Sequence, residues 1–111
     1  MTRTVVHVVT GAPKTGKSAL IARLLASQPL WAGLAPRACP CCIGRVETQV
    51  LLTRLLRERR PKRVFLELGE PHHLVTLHRA LGEWPLSQYV EVGRSIRLPQ
   101  DEALAPEMLG A

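Results

Sequence analysis

The stretch Gly11-Ala12-Pro13-Lys14-Thr15-Gly16-Lys17-Ser18 constrains this chain more than any other, because it matches G-x-x-x-x-G-K-[ST] between segments of two different periods. Before it, Thr4 to Val9 is β-branched and almost wholly apolar, the pattern of a strand buried on both faces. After it, Leu20, Ile21, Leu24 and Leu25 recur at helical spacing, predicting a helix over Lys17 to Gln28 that Pro29 ends. A strand, a glycine-bounded loop and a helix in that order aim successive backbone N–H groups, and the positive end of the helix, at one point. Gly11 and Gly16 permit turns and close approaches that a side chain forbids. The pattern in this context predicts a phosphate-binding loop. Its contacts run from Gly11 through Ala12, Pro13, Lys14, Thr15 and Gly16 to Lys17, Ser18 and Ala19. Lys17 is expected to reach the β- and γ-phosphates, and the Ser18 hydroxyl to coordinate Mg²⁺. The plainer alternative is a glycine-rich turn that caps a helix and holds nothing.

Further along, Leu30 to Arg37 contains Gly33 and Pro36 and reads as a connector. Arg45 to Arg60 reads as a second helix, striped by Val46, Val50, Leu51 and Leu55 with Leu52 and Leu56 beside them, and Pro61 stops it. Val64 to Leu68 is a short apolar strand, and Gly69-Glu70-Pro71 then turns the chain into a helix from His72 to Leu81, with Gly82 as its cap. Gln88 to Val92 suggests a third strand and Ile96 to Leu98 a fragment of a fourth. Strands alternating with helices predict an α/β fold, a small P-loop NTPase-like, mainly parallel sheet flanked by helices. One domain over residues 1–98 is expected, followed by a tail over 99–111 for which helix and loose chain both stand open. No run of eighteen apolar residues exists, which excludes a membrane-spanning helix. The first apolar run is too short for a signal peptide and lacks a cleavage site, so a cytoplasmic protein is expected.

Nucleotide hydrolysis needs an acidic residue at the end of a strand near the loop. The single aspartate, Asp101, lies in the tail, which leaves Glu67 as the candidate for a catalytic role with Lys17 and for a share of the Mg²⁺. Gly69 stands close enough in sequence to approach a γ-phosphate, while a merely solvated Glu67 is the alternative. Guanine reading through an N/T-K-x-D motif is excluded: the chain has no asparagine, and no lysine is followed two residues later by aspartate.

All three cysteines, Cys39, Cys41 and Cys42, fall in Cys39-Pro40-Cys41-Cys42. An odd, clustered set without an export signal is a poor disulfide framework. Thiolates in this density suit Zn²⁺ or another thiophilic ion. Three sulfurs leave one tetrahedral position, open or filled by His72, His73 or His78. The net charge of +6 attracts phosphate in some form. Its densest cluster, Arg54, Arg57, Arg59, Arg60, Lys62 and Arg63, sits at a predicted helix end where cations suit the macrodipole. No aromatic side chain is interleaved with it, so nucleic acid is not favoured as a partner.

Taken in order from about Val5 to about Val92, the phosphate loop, C-x-C-C, amphipathic helix and apolar strand ending in Glu67 resemble the nucleotide-binding domain of the CobW-like P-loop GTPases, metallochaperone relatives of HypB and UreG. The resemblance implies that Lys17 and Ser18 hold phosphate and Mg²⁺, that Cys39, Cys41 and Cys42 bind zinc or cobalt, and that Glu67 with Gly69 forms the acidic motif. It implies GTP or ATP with Mg²⁺ as cofactor, a metal-receiving client protein, and hydrolysis coupled to metal loading. The chain departs from the family pattern in four places. Lys14 stands where a mid-loop glycine is usual; the N-E-[FY]-G segment is missing; Glu67-Leu68-Gly69-Glu70-Pro71 is shorter than E-x-x-G with its later proline, placing Leu66 at the acidic position if Gly69 is the anchor; and the guanine motif and C-terminal domain are absent. So trimmed a sheet exposes surface, and a homodimer is the expectation. A non-hydrolysing metal-binding adaptor on the same fold, and a polyanion binder using the basic helix end, are the competing readings.

Overall fold

In the computed structural model, which describes residues 3–83 and 85–110, Met1, Thr2, Trp84 and Ala111 lie outside the described residues, and with them the two ends of the expected domain and tail. The element order is β1 (Thr4–Thr10), α1 (Lys17–Leu25), β2 (Trp31–Leu34), α2 (Arg45–Arg59), β3 (Arg63–Leu68), α3 (Leu74–Glu83), β4 (Val90–Val92) and β5 (Ile96–Arg97). Single 3₁₀ turns lie at Pro71–His73, Pro85–Gln88 and Pro106–Leu109.

The two most apolar strands form the centre. β1 and β3 run parallel, Val5 opposite Arg63 through Thr10 opposite Leu68. β2 extends the sheet beyond β3, while β4 and then β5 pair with the other side of β1, all of them parallel. The architecture is therefore α/β with a five-stranded, mostly parallel sheet. Alternation along the strands divides the interior between two faces. Val6, Val8, Val64 and Leu66 pack with Leu52 of α2 and Leu77 of α3. On the opposite face Val9 and Phe65 pack with Leu20, Ile21 and Leu24 of α1. Phe65 stacks on His7 at 5.2 Å and meets Trp31 at 5.4 Å.

Several expectations change. Residues Trp31–Leu34, read as connector, form the edge strand β2. Only Trp31 and Ala32 are buried there, so the strand is too short to show a period, and its partner β3 defines it. The α2 stripe is rotated: Val46 and Val50 are 71% and 51% exposed, whereas Thr48 and Leu52 are fully buried. Apolar residues occur nearly all round this helix, so periodicity alone does not set its rotation. Gly82 lies within α3 and has no left-handed φ, so it is not a cap. The tail is docked on the α1 face: Leu104 and Leu109 are buried, and Arg23 Nη2 donates to the carbonyls of Glu102 at 2.6 Å and Leu104 at 2.9 Å. Among the described residues no helix is long and apolar enough to cross a membrane.

The topology positions the chemistry. The chain leaves β1 toward β2 over one face and leaves β3 toward β4 over the other, so the strand order reverses beside β1. In open α/β sheets the crevice at such a reversal, at the carboxyl ends of the strands, is where ligands bind. The loop Gly11–Gly16 and Glu67 both lie at that end.

Candidate functional site

The loop after β1 owes its shape to its glycines. A Cβ on Gly11 would stand 2.5 Å from Thr15 Oγ1 and 3.2 Å from Leu98 Cβ, so a side chain there would force the Thr15 hydroxyl off its present position. Gly16 has φ +90° as it enters α1, and Lys14 holds φ +67°, the left-handed conformation that the usual mid-loop glycine adopts freely. Thr15 closes the turn with its hydroxyl donating to the Ala12 carbonyl at 2.6 Å. The backbone N–H groups of Lys14, Gly16, Lys17, Ser18 and Ala19 have no backbone acceptor among the described residues. The last three are the free donors expected at a helix start. Lys17 Nζ folds back onto the carbonyls of Gly11 at 2.7 Å and Ala12 at 3.1 Å. Most of the loop is exposed, with Gly11 buried and Thr15 and Lys17 half-buried. A cluster of unpaired donors plus one lysine fits a phosphate group.

Ser18 and Glu67, far apart in sequence, are brought together: Ser18 Oγ donates to Glu67 Oε2 at 2.9 Å. Adjacency of β3 to β1 produces this meeting, since Glu67 pairs with Val9 just before the loop. A hydroxyl and a carboxylate in contact are oxygen donors of the kind a hard cation uses.

The thiols form the second constellation. Cys39, Cys41, Cys42 and His73 place their ligand atoms within 4.8 Å of one another. Cys39 Sγ lies 3.1 Å from Cys41 Sγ and 3.3 Å from His73 Nδ1. Tetrahedral zinc with Zn–S near 2.3 Å requires sulfurs about 3.8 Å apart. Side-chain adjustments of an ångström or less therefore convert this group into a Cys₃His shell. The loop is braced from inside: the Cys39 carbonyl accepts from Gly44 N at 2.7 Å and Cys42 N at 3.2 Å. The fourth donor comes from the turn after β3, where Pro71 starts the 3₁₀ segment that carries His73. Of the three histidines named as donors, His72 instead faces Glu70 at 3.5 Å and His78 lies away from the cluster with Nε2 buried and unpartnered. No sequence signal separates the three; the turn geometry does.

The thiols of Cys39 and Cys41 differ in how readily they ionise. Burial disfavours a thiolate at Cys39, but hydrogen bonds from His73, and then from Cys41 and Cys42, outweigh it and bring Cys39 to about 7. Burial first, and the neighbouring Cys39 next, push Cys41 up to about 12. A metal that binds here finds Cys39 readily ionised and displaces the proton of Cys41 to solvent.

Compared with protein-family models, curated proteins and solved structures, the chain matches none. The α/β fold and a Cys/His cluster able to hold a thiophilic metal therefore rest on the molecule's own geometry.

Proposed function

We propose that this protein binds a thiophilic metal ion, zinc first, at Cys39, Cys41, Cys42 and His73, binds a nucleoside triphosphate with Mg²⁺ at the loop Gly11–Ser18, and makes each affinity depend on the other. The observation that carries this reading is one short segment that touches both sites. At one end Glu67 accepts from Ser18 at 2.9 Å; at the other, His73 Nδ1 stands 3.3 Å from Cys39 Sγ. Between them Gly69 to His72 is exposed. The segment joins the two sites through a few backbone bonds, a route by which binding at one end can bias the other if the segment takes two arrangements.

In this reading the free N–H groups from Lys14 to Ala19 and the Lys17 ammonium hold the phosphates, while Ser18 and Glu67 hold the Mg²⁺, directly or through water. Bound Mg²⁺ supplies charge neutralisation of the phosphates. GTP is the nucleotide the CobW-like resemblance suggests, with ATP as the alternative since the guanine motif is absent. Hydrolysis is slow, because among the described residues Glu67 is the acid the sheet delivers to the loop and Ser18 already engages it. The metal is cargo, handed to a client protein as in metallochaperones. A non-hydrolysing metal-binding adaptor is the alternative, favoured by the way Lys17 folds onto its own loop carbonyls.

Calorimetric titration of Mg·GTP, Mg·GDP and Mg·ATP into zinc-loaded and zinc-free protein tests the proposal. Micromolar binding, about −8 kcal/mol, that is lost in Lys17→Ala and differs between the two protein states is expected. Nucleotide binding that is identical with and without zinc removes the coupling. Zinc binding with no nucleotide binding leaves the adaptor.

A further inference from the structure

The four donors of the metal cluster are not held alike. Three belong to a single turn whose backbone is tied twice to the Cys39 carbonyl, with Pro40 and Gly44 buried. The fourth, His73, sits on the exposed connector after β3, where Gly69, Glu70, Pro71 and His72 are all solvent-facing. A Cβ on Gly69 would have no atom within 4 Å, so nothing packs on the start of that connector. His73 itself has its ring edge against His72 at 4.3 Å and its Nδ1 toward Cys39. Its Nε2 makes no hydrogen bond among the described residues. Metal-bound histidines are ordinarily fixed by a carboxylate, a carbonyl or a water on the other ring nitrogen, and a protein partner there holds the ring more firmly than solvent does. Here no protein group fills that place among the described residues, while Cys42 of the same cluster is exposed.

We infer that His73 is the exchangeable ligand of the site: three thiolates retain the metal, and the imidazole gives way to a thiolate of an accepting molecule. This rests on the reading that the cluster holds a metal and requires nothing of the nucleotide. The exchange is balanced without redox chemistry. The incoming sulfur, having lost its proton to solvent, donates an electron pair to the ion as Nδ1 withdraws its own; the metal keeps its charge and the imidazole leaves neutral. The site is thereby a transfer site that closes with His73 at rest and opens toward a thiol donor.

Cobalt(II) titration of the reduced full chain tests this, with thiolate-to-cobalt charge-transfer bands counting sulfurs and the visible ligand-field bands reporting the fourth ligand. A small monothiol serves as the probe acceptor. In the unmodified protein, added monothiol is expected to raise the charge-transfer intensity from three thiolates to four while one cobalt per chain is retained. His73→Ala should still bind one cobalt, weakened by about 10- to 100-fold, the scale on which supporting groups act rather than the loss of the site. It should also take up the monothiol at lower concentration. His73→Cys should give the four-thiolate spectrum by itself and refuse the monothiol. Three results overturn the inference: His73→Ala that no longer holds cobalt while its urea midpoint is unchanged, a His73→Ala spectrum identical to the parent, or a monothiol that strips the metal without a four-thiolate stage. A parent chain that binds no cobalt at all instead overturns the reading of the cluster as a metal site.

Discussion

Gly44 is where a single methyl group should separate the thiol loop from its function. Its φ and ψ are −89° and 11°, which any residue adopts, so alanine there brings no backbone strain of its own. The obstacle is space. A Cβ at this position would lie 2.8 Å from the Ala38 carbonyl carbon and 2.9 Å from the Cys39 oxygen, and closer still to the Ala38 oxygen. These are backbone atoms of the very turn that gathers the cysteines, so no side chain can swing aside. Overpacking of a tight site costs about 1–3 kcal/mol. Stretching the 2.7 Å bond from Gly44 N to the Cys39 carbonyl forfeits about 1 kcal/mol more. Gly44→Ala should therefore disfavour the closed loop by about 2–4 kcal/mol, or about 30- to 700-fold in an equilibrium constant at about 1.4 kcal/mol per factor of ten. Without metal the loop can relax by opening, because only Cys41 and Pro40 of its tip are buried. The penalty then reappears when a metal re-closes it. The measurement is zinc affinity by chelator competition, paired with the urea midpoint of the metal-free chain, and the two losses together should account for the whole penalty. A variant that binds zinc within about threefold of the parent, with an unmoved urea midpoint, would refute the steric argument and with it the idea that this turn is what preorganises the thiols.

Other expectations follow from the same geometry. Gly82 sits inside α3 with nothing within 4 Å of its would-be Cβ, so Gly82→Ala should stabilise the fold by about 0.5–1 kcal/mol in urea denaturation. Leu52 is the one fully buried aliphatic side chain of α2, and Leu52→Ala should lower stability by about 2–5 kcal/mol by the same assay. His7 donates from Nδ1 to the Arg94 carbonyl at 2.8 Å and accepts at Nε2 from Arg63, and burial, with the charges of Arg63 and Arg94, lowers its pKa from 6.5 against the opposing Arg94 bond. The unfolded chain then takes up this proton first, so stability should fall as pH drops below about 6.5 and continue to fall until the folded-state pKa is passed. Urea midpoints at several pH values should show a shallower slope in His7→Phe, with a remainder from His78, whose pKa burial also lowers. Zinc binding near pH 8 should release at least one proton, that of Cys41, detectable by calorimetry in buffers of different ionisation enthalpy.

What the sequence announces and what it conceals divide along the range of the forces involved. β1, α1 and the loop between them are legible because the pattern is local: glycines where a side chain would crowd or strain the turn, an apolar run on one side and a helical period on the other. The thiol cluster is legible for the same reason, since three ligands share one turn. His73 is legible only as one of three candidate histidines, because its place depends on β3 lying beside β2 and on where Pro71 sends the chain, which are tertiary facts. β2 is hidden too: four residues cannot display a period, and Trp31 declares its burial only once Phe65 is beneath it. The rotation of α2 shows the same limit from the other side. With Val46, Val50, Leu51, Leu52, Leu55 and Leu56 distributed around it, hydrophobicity offers several inward faces, and the sheet accepts the one carrying Thr48 and Leu52. That choice leaves Val46 and Ile43, the latter 88% exposed, on the outside immediately after Cys42. The helix thus gives up part of its apolar contact while the thiol loop keeps its shape, a local conflict of the sort that folds tolerate where a site, rather than a core, sets the geometry.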